Sequence, residues 1–241
     1  MNKMVAVLNF KYRYLLSNPK FLLPFGFLIV MQMIHYSTVT APPTAFLRYL
    51  FLAEIFTFVA AVWLGASSNQ FFDETTEKLL ILRLQSGVKF YLIFAVFLAG
   101  LAFVLSVVTT AFPIVFSFTG LFDTFSFRYA FATFLLTLGS SFAGITLGAL
   151  TSPRLLKKKE EGAFIAIIFC LLAVVAAPLS AAYPWTRFIM WFFPHTSHHG
   201  SLIETSADLT FLKVFVLFLI NVIYGVVYTI IRTTMLNLKK F

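Results

Sequence analysis

Six long apolar segments follow one another along the chain. They run roughly over residues 21–36, 47–67, 90–111, 129–150, 163–183 and 211–231. A helix needs about 20 residues to cross the hydrocarbon core of a bilayer, which is roughly 30 Å thick. The pattern therefore predicts an all-α membrane protein with six transmembrane helices, forming a single domain over residues 1–241.

The basic residues fall mostly in the connections on one side of this predicted membrane. If both termini are cytoplasmic, only four of the 18 lysines and arginines lie outside: Arg48, Arg128, Arg187 and Lys213. Connections rich in Lys and Arg stay in the cytoplasm. We therefore expect a multi-pass protein of the cell membrane with both termini inside. Its Phe-rich and Lys-rich composition suggests a bacterial source.

Composition agrees with this prediction and limits the classes of binding partner. The chain is 60% hydrophobic and 11% charged, whereas a soluble domain carries about 25% charged residues. The net charge of +9 is the cytoplasmic excess, so it favours anionic lipid headgroups as a partner and does not indicate nucleic acid. One cysteine, Cys170, excludes an intrachain disulfide and a cysteine metal cluster.

Two short segments on the inner side are predicted to be helical without crossing the membrane. Residues 1–20 alternate apolar and basic side chains, which is typical of a helix lying in the membrane interface. Residues 70–88 place acidic side chains first and basic ones later, in the order that suits a helix dipole. We interpret 70–88 as a short amphipathic cytoplasmic helix that ends near Ser86 and Gly87.

The outer stretch 184–200 is too short and too interrupted by proline to cross the bilayer. It contains Trp185, Trp191, Pro194 and His195 and is apolar enough to dip into the outer leaflet as a re-entrant segment, provided that other helices shield its backbone. His195, His198 and His199 have the spacing of one helical face. A metal site, a proton-sensitive outer gate and ordinary loop polarity all remain open for these histidines.

A few polar and small residues stand out inside the predicted spans. Glu54 either lines a translocation path or is a protonated or paired acid at a helix interface. Asn221 is expected to form an interhelical hydrogen bond, with a place on the path as the alternative. Gly144 and Gly148 form a GxxxG pair, which lets helix backbones approach closely in lipid.

The chain lacks the sequence motifs of common catalytic sites. It has no GxxxxGK[ST] phosphate loop, no GxSxG elbow and no HExxH pair. We therefore expect no catalytic, cofactor-binding or metal-ligating residues in this chain.

Three segments, together with the six spans, resemble the permease subunit of type-2 ATP-binding-cassette exporters. Residues 10–19 resemble the family's N-terminal connecting helix, which ends in an Asn-Pro-like turn. Residues 74–80, followed by Ser86 and Lys89, resemble the coupling-helix segment between spans two and three. Residues 185–196 resemble the short outer helices before the last span.

This resemblance implies an exporter subunit with a separate cytoplasmic ATPase, which would bind ATP and Mg, and with a second permease subunit, identical or paralogous. The segment 70–88 would be the coupling helix that seats in the ATPase. Its expected contact residues are Glu74, Thr76, Glu77, Leu79, Leu80 and Arg83. The aromatic, weakly charged outer parts suit amphipathic or hydrophobic cargo, such as an antimicrobial or toxin-like peptide, a lipid or a drug.

A second hypothesis comes from a different class of protein. The chain would be a stand-alone membrane protein without an ATPase partner, either a secondary transporter or an immunity-type binding protein. Secondary transporters usually show inverted repeats and broken helices at the midplane. The sequence shows one buried glutamate and no clear repeat, which favours the exporter hypothesis.

Overall fold

The computed structural model describes residues 3–37, 46–68, 74–117, 127–152, 155–156, 159–194 and 211–238. Of these residues 93% are helical and none lies in a strand, so the predicted all-α class is confirmed. Five helices are long and apolar enough to cross a membrane on their own. The fold is compatible with a multi-pass membrane protein.

Nine α-helices can be followed through the described ranges, and two short 3-10 turns accompany them. The turns are Pro19–Phe21 and Pro184–Thr186. The helices are α1 (Lys3–Ser17), α2 (Leu22–Ser37), α3 (Phe46–Ser68), α4 (Glu74–Leu84), α5 (Gly87–Ser117), α6 (Phe127–Ala149), α7 (Lys159–Ala182), α8 (Arg187–Met190) and α9 (Phe211–Leu238).

The first predicted span differs from the other five. α2 has 16 residues, or about 24 Å at 1.5 Å per residue, which is less than the hydrocarbon core. α1 and α2 meet at a bend of 63°, and only together do they reach the length of one broken span. The bend lies where the sequence places Asn18 and Pro19, because proline favours the first turn of a helix and restricts the residue before it.

α6 is the central helix of the bundle. It packs against α3, α5 and α9 more extensively than any other helix does. The most apolar stretch of α6 is 72% buried, against 28% for the corresponding stretches of α7 and α9. α7 and α9 therefore carry most of their apolar surface on the outside of the bundle.

The tightest contact lies between α3 and α6, and glycine makes it possible. A Cβ atom added at Gly148 would overlap the carbonyl oxygen of Val62, and one added at Gly65 would overlap that of Ile145. One turn away, a Cβ atom at Gly144 would lie 3.0 Å from the carbonyl oxygen of Phe58. The absence of side chains at these positions brings the two backbones together, as the GxxxG spacing indicates.

Hydroxyl groups join α5 to α6 on another face. The Ser106 and Thr137 hydroxyl oxygens lie 2.7 Å apart, and Ser106 Oγ donates to the carbonyl of Phe134 at 2.9 Å. Ser141 Oγ donates to the Ala102 carbonyl at 3.1 Å. These residues are buried, so the hydrogen bonds fix the two helices at a depth where no water competes for the same groups.

We predict that Gly148→Ala destabilises the protein by about 1–3 kcal/mol, because the added methyl group meets backbone atoms that cannot move independently. Gly26→Ala is the matched control, since a Cβ atom there would meet nothing within 4 Å, and we expect it to be neutral or slightly stabilising. Unfolding in detergent would compare the two. Equal stability of both variants would contradict the close α3–α6 packing.

Candidate functional site

α4 has one face packed on the protein and one face turned away from it. Ile81 and Leu84 pack with Val7, Phe90 and Leu236, at the end of the bundle where α5 begins and α9 ends. Leu80 packs against the same cluster. Three of the five apolar side chains of α4, namely Leu80, Ile81 and Leu84, thus pack on this cluster.

The outward face of α4 carries Leu82 and two of the residues predicted to contact the ATPase, Leu79 and Arg83. Leu79 is 62% exposed and Leu82 is 69% exposed. Arg83 is exposed beside them, while Thr76 and Glu77 are half-buried. Leu79, Leu82 and Arg83 are therefore available to a partner. The side chain of Glu74 lies outside the described part of the structure.

The junction between α4 and α5 is short and sharply bent. Gln85 has φ = 55°, a left-handed conformation that commonly ends a helix. Ser86 then accepts a hydrogen bond from the Lys89 backbone N–H at 3.3 Å through its hydroxyl oxygen and caps α5. Only Gln85 and Ser86 separate the two helices.

Beneath α4, Lys11 of α1 is completely buried. Its Nζ atom lies 3.9 Å from the ring centroid of Phe94, 4.7 Å from that of Phe90 and 5.8 Å from that of Phe97. These three rings occupy consecutive turns on one face of α5. A desolvated ammonium group over aromatic faces gains about 2 kcal/mol or more from each favourable contact, which offsets part of the cost of burying the charge.

Arg232 of α9 reaches the same ring from another helix. Its guanidinium carbon lies 4.1 Å from the Phe94 ring centroid. Its Nε donates to the carbonyl of Ala149, the last residue of α6, at 3.0 Å, and basic side chains satisfy helix C-terminal carbonyls in this way. We call Lys11, Arg232, Phe94 and Glu77 of α4 the charged junction. It joins α1, α4, α5, α6 and α9.

Burial removes the ammonium group of Lys11 from water, beside the like charge of Arg232 and within electrostatic range of the opposite charge of Glu77. Glu77 belongs to α4, so a movement of α4 would change this one attractive contribution to the junction.

Glu54 is fully buried in α3. The carbonyl of its neighbour Ala53 accepts hydrogen bonds from Gln32 Nε2 at 3.1 Å and from Thr57 Oγ1 at 2.7 Å. Thr57 also lies 2.8 Å from Thr109, oxygen to oxygen. Glu54 thus belongs to a packed polar layer, and a place on a translocation path would require a conformational change that exposes it.

Asn221 is also fully buried, on a different flank of α6 from Glu54. It packs against Gly139, where an added Cβ atom would lie 3.1 Å from the Asn221 Cβ. Among the described residues, neither its amide nitrogen nor its amide oxygen has a hydrogen-bond partner. The interhelical hydrogen bond expected from the sequence is therefore not formed in this conformation. An unsatisfied buried amide costs about 1–3 kcal/mol.

The outer segment folds back along α7 and α9. Tyr224 donates its hydroxyl hydrogen to the carbonyl of Trp191, and Tyr228 donates to that of Phe192, each at 2.6 Å. The Phe193 ring lies 5.6 Å from the Phe169 ring of α7, centroid to centroid. Tyr228 is 17 residues past Phe211, about 26 Å along α9. The re-entrant course of 184–200 in the outer leaflet stays a prediction.

Side chains of α9 satisfy part of the irregular backbone of this segment. Tyrosine hydroxyls replace water as donors to the carbonyls that α8 leaves free. Trp185 and Trp191 are 71% and 74% exposed, while Pro194 is buried. His195, His198 and His199 lie outside the described residues, so their predicted roles are untested. In the described ranges no group of three metal-ligating side chains occurs.

The charged junction and the tyrosine pair were not predicted from the sequence. A signal existed for each of them. Phe90, Phe94 and Phe97 are spaced to share one helical face, and Tyr224 and Tyr228 stand four residues apart inside an apolar span. Sequence spacing does not show which lysine contacts the phenylalanine rings, nor which carbonyl groups accept hydrogen bonds from the tyrosines.

Comparison with known proteins gives no relative. No family model, no curated protein and no solved structure matches the chain.

We predict that Lys11→Met unfolds less readily than the unaltered protein at neutral pH, because methionine fills the same ring-lined site without a buried charge. Exposed Lys213→Met is the control and should leave stability unchanged. Unfolding in detergent compares the variants. A loss of more than about 1 kcal/mol in Lys11→Met would mean that the contacts of the ammonium group with the rings outweigh the cost of its burial.

We predict that Asn221→Leu leaves stability unchanged or raises it, because the lost amide makes no hydrogen bond. Thr57→Val should cost about 1 kcal/mol, since it removes a hydroxyl that bonds Ala53. Unfolding of both variants in the same detergent provides the comparison. A loss of more than about 1 kcal/mol in Asn221→Leu would mean that the amide has a partner in the folded protein.

Proposed function

We propose that this protein is the transmembrane subunit of an ATP-driven exporter, powered by a separate cytoplasmic ATPase subunit. The single observation that carries the proposal is α4, a short helix at one end of the bundle with its outward face exposed. ATP and Mg would be bound by the partner, and no cofactor is assigned to this chain. Both termini and α4 would lie in the cytoplasm, as the distribution of basic residues indicates.

The outward face of α4 has the chemistry of a docking surface for a protein. Leu79 and Leu82 present large apolar side chains beside the cation of Arg83. The buried centre of a protein interface is more apolar than the rest of the surface, and arginine is enriched at interfaces. α4 lies between α3 and α5, the second and third predicted spans, which is where the resemblance to type-2 exporters places the coupling helix.

The inward face of α4 supplies a route for transmission. A push on α4 reaches α5 through Gln85 and Ser86, and it reaches α1 and α9 through Glu77 and the charged junction. ATP-driven closure of the ATPase would favour one position of α4 over another. A partner that binds one position of α4 more tightly than another shifts the equilibrium between two arrangements of the membrane helices.

The described outer parts support amphipathic or hydrophobic cargo. Phe188 is 94% exposed and Phe127 is 84% exposed, and the tryptophans of the re-entrant segment are nearby in sequence. Peptides, lipids and drugs with apolar faces match such surfaces. The largely exposed apolar helices α7 and α9 leave room for a second permease subunit, identical or paralogous.

One observation favours the stand-alone alternative, a secondary transporter or an immunity-type binding protein. Glu54 is a fully buried carboxyl group in an apolar helix, and such groups commonly belong to proton or ion pathways. Under this alternative the outward face of α4 would lie on the lipid surface, without an ATPase. The test below separates the two functions.

We predict that Leu79→Asp with Leu82→Asp prevents binding of the ATPase and lowers its stimulation by the permease at least tenfold, equivalent to about 1.4 kcal/mol. The full chain would be co-expressed with an ATPase encoded beside it and purified in lipid nanodiscs, and ATP hydrolysis would be measured. Charged side chains at both positions break the apolar contact, while the packed Leu80, Ile81 and Leu84 keep α4 in place.

Leu238→Asp is the matched control, because Leu238 is 81% exposed at the end of α9 and lies outside the proposed docking face. It should bind and stimulate the ATPase as the unaltered chain does. Unchanged ATPase binding by the α4 double variant would rule out this docking surface. Failure of the unaltered chain to bind or stimulate the ATPase would favour the stand-alone alternative.

A further inference from the structure

A small cavity lies where α5, α6 and α9 meet, beside the charged junction. All three helices contribute to its walls, with Tyr91 and Leu98 on α5, Thr146 on α6, and Thr229 and Arg232 on α9. Its volume is about 10 Å³, close to the roughly 10–15 Å³ that one water molecule needs. A drug-sized ligand needs roughly 300–1,000 Å³, so the size of the cavity restricts its ligand to a water molecule or a small ion.

The walls of the cavity on α5 and α6 belong to the packed interior of the bundle. Tyr91, Leu98 and Thr146 are each at most 2% exposed. Thr229 and Arg232 are half-buried, so α9 forms the side of the cavity that is nearest to the surface. A molecule held there would be in contact with protein on most sides, and its hydrogen bonds would have to be made with the lining residues.

The two threonines that line the cavity already use their hydroxyl hydrogens within their own helices. Thr146 Oγ1 donates to the carbonyl of Phe142 at 2.8 Å, and Thr229 Oγ1 donates to the carbonyl of Gly225 at 2.8 Å. A hydroxyl oxygen also accepts hydrogen bonds through its lone pairs. Both threonines can therefore accept a hydrogen bond from a molecule in the cavity, but neither has a second hydrogen to donate to it.

Arg232 adds hydrogen-bond donors and a positive charge to the same cavity. A guanidinium group has five N–H donors, and the donor on Nε is directed to the carbonyl of Ala149 at 3.0 Å. The positive charge repels a cation. An anion such as chloride accepts hydrogen bonds but donates none, so it cannot satisfy the threonine oxygens. A water molecule both accepts from a guanidinium group and donates two hydrogen bonds.

We propose that this cavity binds one water molecule, which accepts a hydrogen bond from the guanidinium group of Arg232 and donates to the hydroxyl oxygens of Thr146 and Thr229. Three hydrogen bonds are the usual number for a buried water molecule. The water links α6 to α9 at the level of Tyr91 in α5. It also hydrates a guanidinium group that lies close to the buried ammonium group of Lys11, which lowers the cost of holding two like charges there.

X-ray footprinting of the full chain in lipid nanodiscs tests the proposal. A short X-ray pulse converts water into hydroxyl radicals, which oxidise the side chains that they contact, and mass spectrometry measures the oxidation of each residue. Tyr91 and Tyr228 form a matched pair, because each is 1% exposed. Tyr228 does not line the cavity, and its hydroxyl group donates to the carbonyl of Phe192. We expect Tyr91 to be oxidised at least fivefold faster than Tyr228.

Substitutions of Thr229 test whether the water is held in this cavity. Thr229→Leu removes one acceptor and places a larger side chain in the cavity, so it should lower the oxidation of Tyr91 at least threefold. Thr229→Ser keeps the hydroxyl group and should preserve the oxidation. Thr234→Leu is the matched control, because Thr234 is exposed on the same helix. If Thr229→Leu does not fold, Thr229→Val removes the hydroxyl group without changing the shape and should lower the oxidation at least twofold.

Two results would overturn the proposal. Equal oxidation of Tyr91 and Tyr228 in the unaltered chain would show that the cavity holds no water. Faster oxidation of Tyr91 that persists unchanged in the Thr229→Leu and Thr229→Val variants would show that the radicals come from bulk solvent. Neither measurement involves an ATPase, so the outcome is independent of the proposed transport function.

Discussion

The contact between α3 and α6 determines how the other helices can be arranged. Gly65, Gly144 and Gly148 bring two backbones so close that neither helix can rotate without a clash. In a lipid environment there is little hydrophobic force between helices, so close backbone packing and interhelical hydrogen bonds must hold them together. α5 and α9 are then packed on the remaining faces of α6, and α7 covers α3 only in part.

The end of the bundle at which α4 is attached is held by a different kind of interaction. There the charged junction joins five helices through the Phe94 ring, the C-terminus of α6 and the Glu77 carboxyl group of α4. Electrostatic contacts of this type change in energy when one member moves, whereas glycine packing permits essentially one arrangement. A rigid centre next to an adjustable end is a physical basis for transmitting motion from a cytoplasmic partner, which is why the proposed function centres on α4.

The pattern of apolar residues predicted the helices well, because each long segment has the length and composition that a bilayer demands. Five of the six predicted spans correspond to helices that qualify by themselves. The first predicted span does not qualify, because α2 is too short and reaches the length of a span only together with α1. The apolar run 21–36 does not show this relation between the two helices. The small residues of α6 indicated close approach, since GxxxG has a direct geometric meaning, but the partner helix could not be identified from spacing.

Candidate site residues were harder to predict, since their roles depend on neighbours distant in sequence. Leu79 and Leu80 are adjacent in the chain, yet the first is exposed and the second packs on the bundle. Asn221 was expected to form a hydrogen bond with a neighbouring helix, but it faces Gly139, which has no side chain that could donate or accept one. In the sequence Lys11 resembles the other basic residues of the interfacial segment, because the residues around it do not show that three phenylalanine rings of α5 surround it.

The burial of Lys11 also has a consequence for biogenesis. The helix that carries it precedes α5 and α9 in the chain, but its aromatic cage belongs to α5 and the guanidinium group that shares the Phe94 ring belongs to α9, more than 200 residues later. Until α5 has been inserted, the ammonium group must stay hydrated at the membrane surface, because an uncompensated charge is costly in hydrocarbon. α1 is thus synthesised before the helices that it packs on, and it reaches its final position only after them.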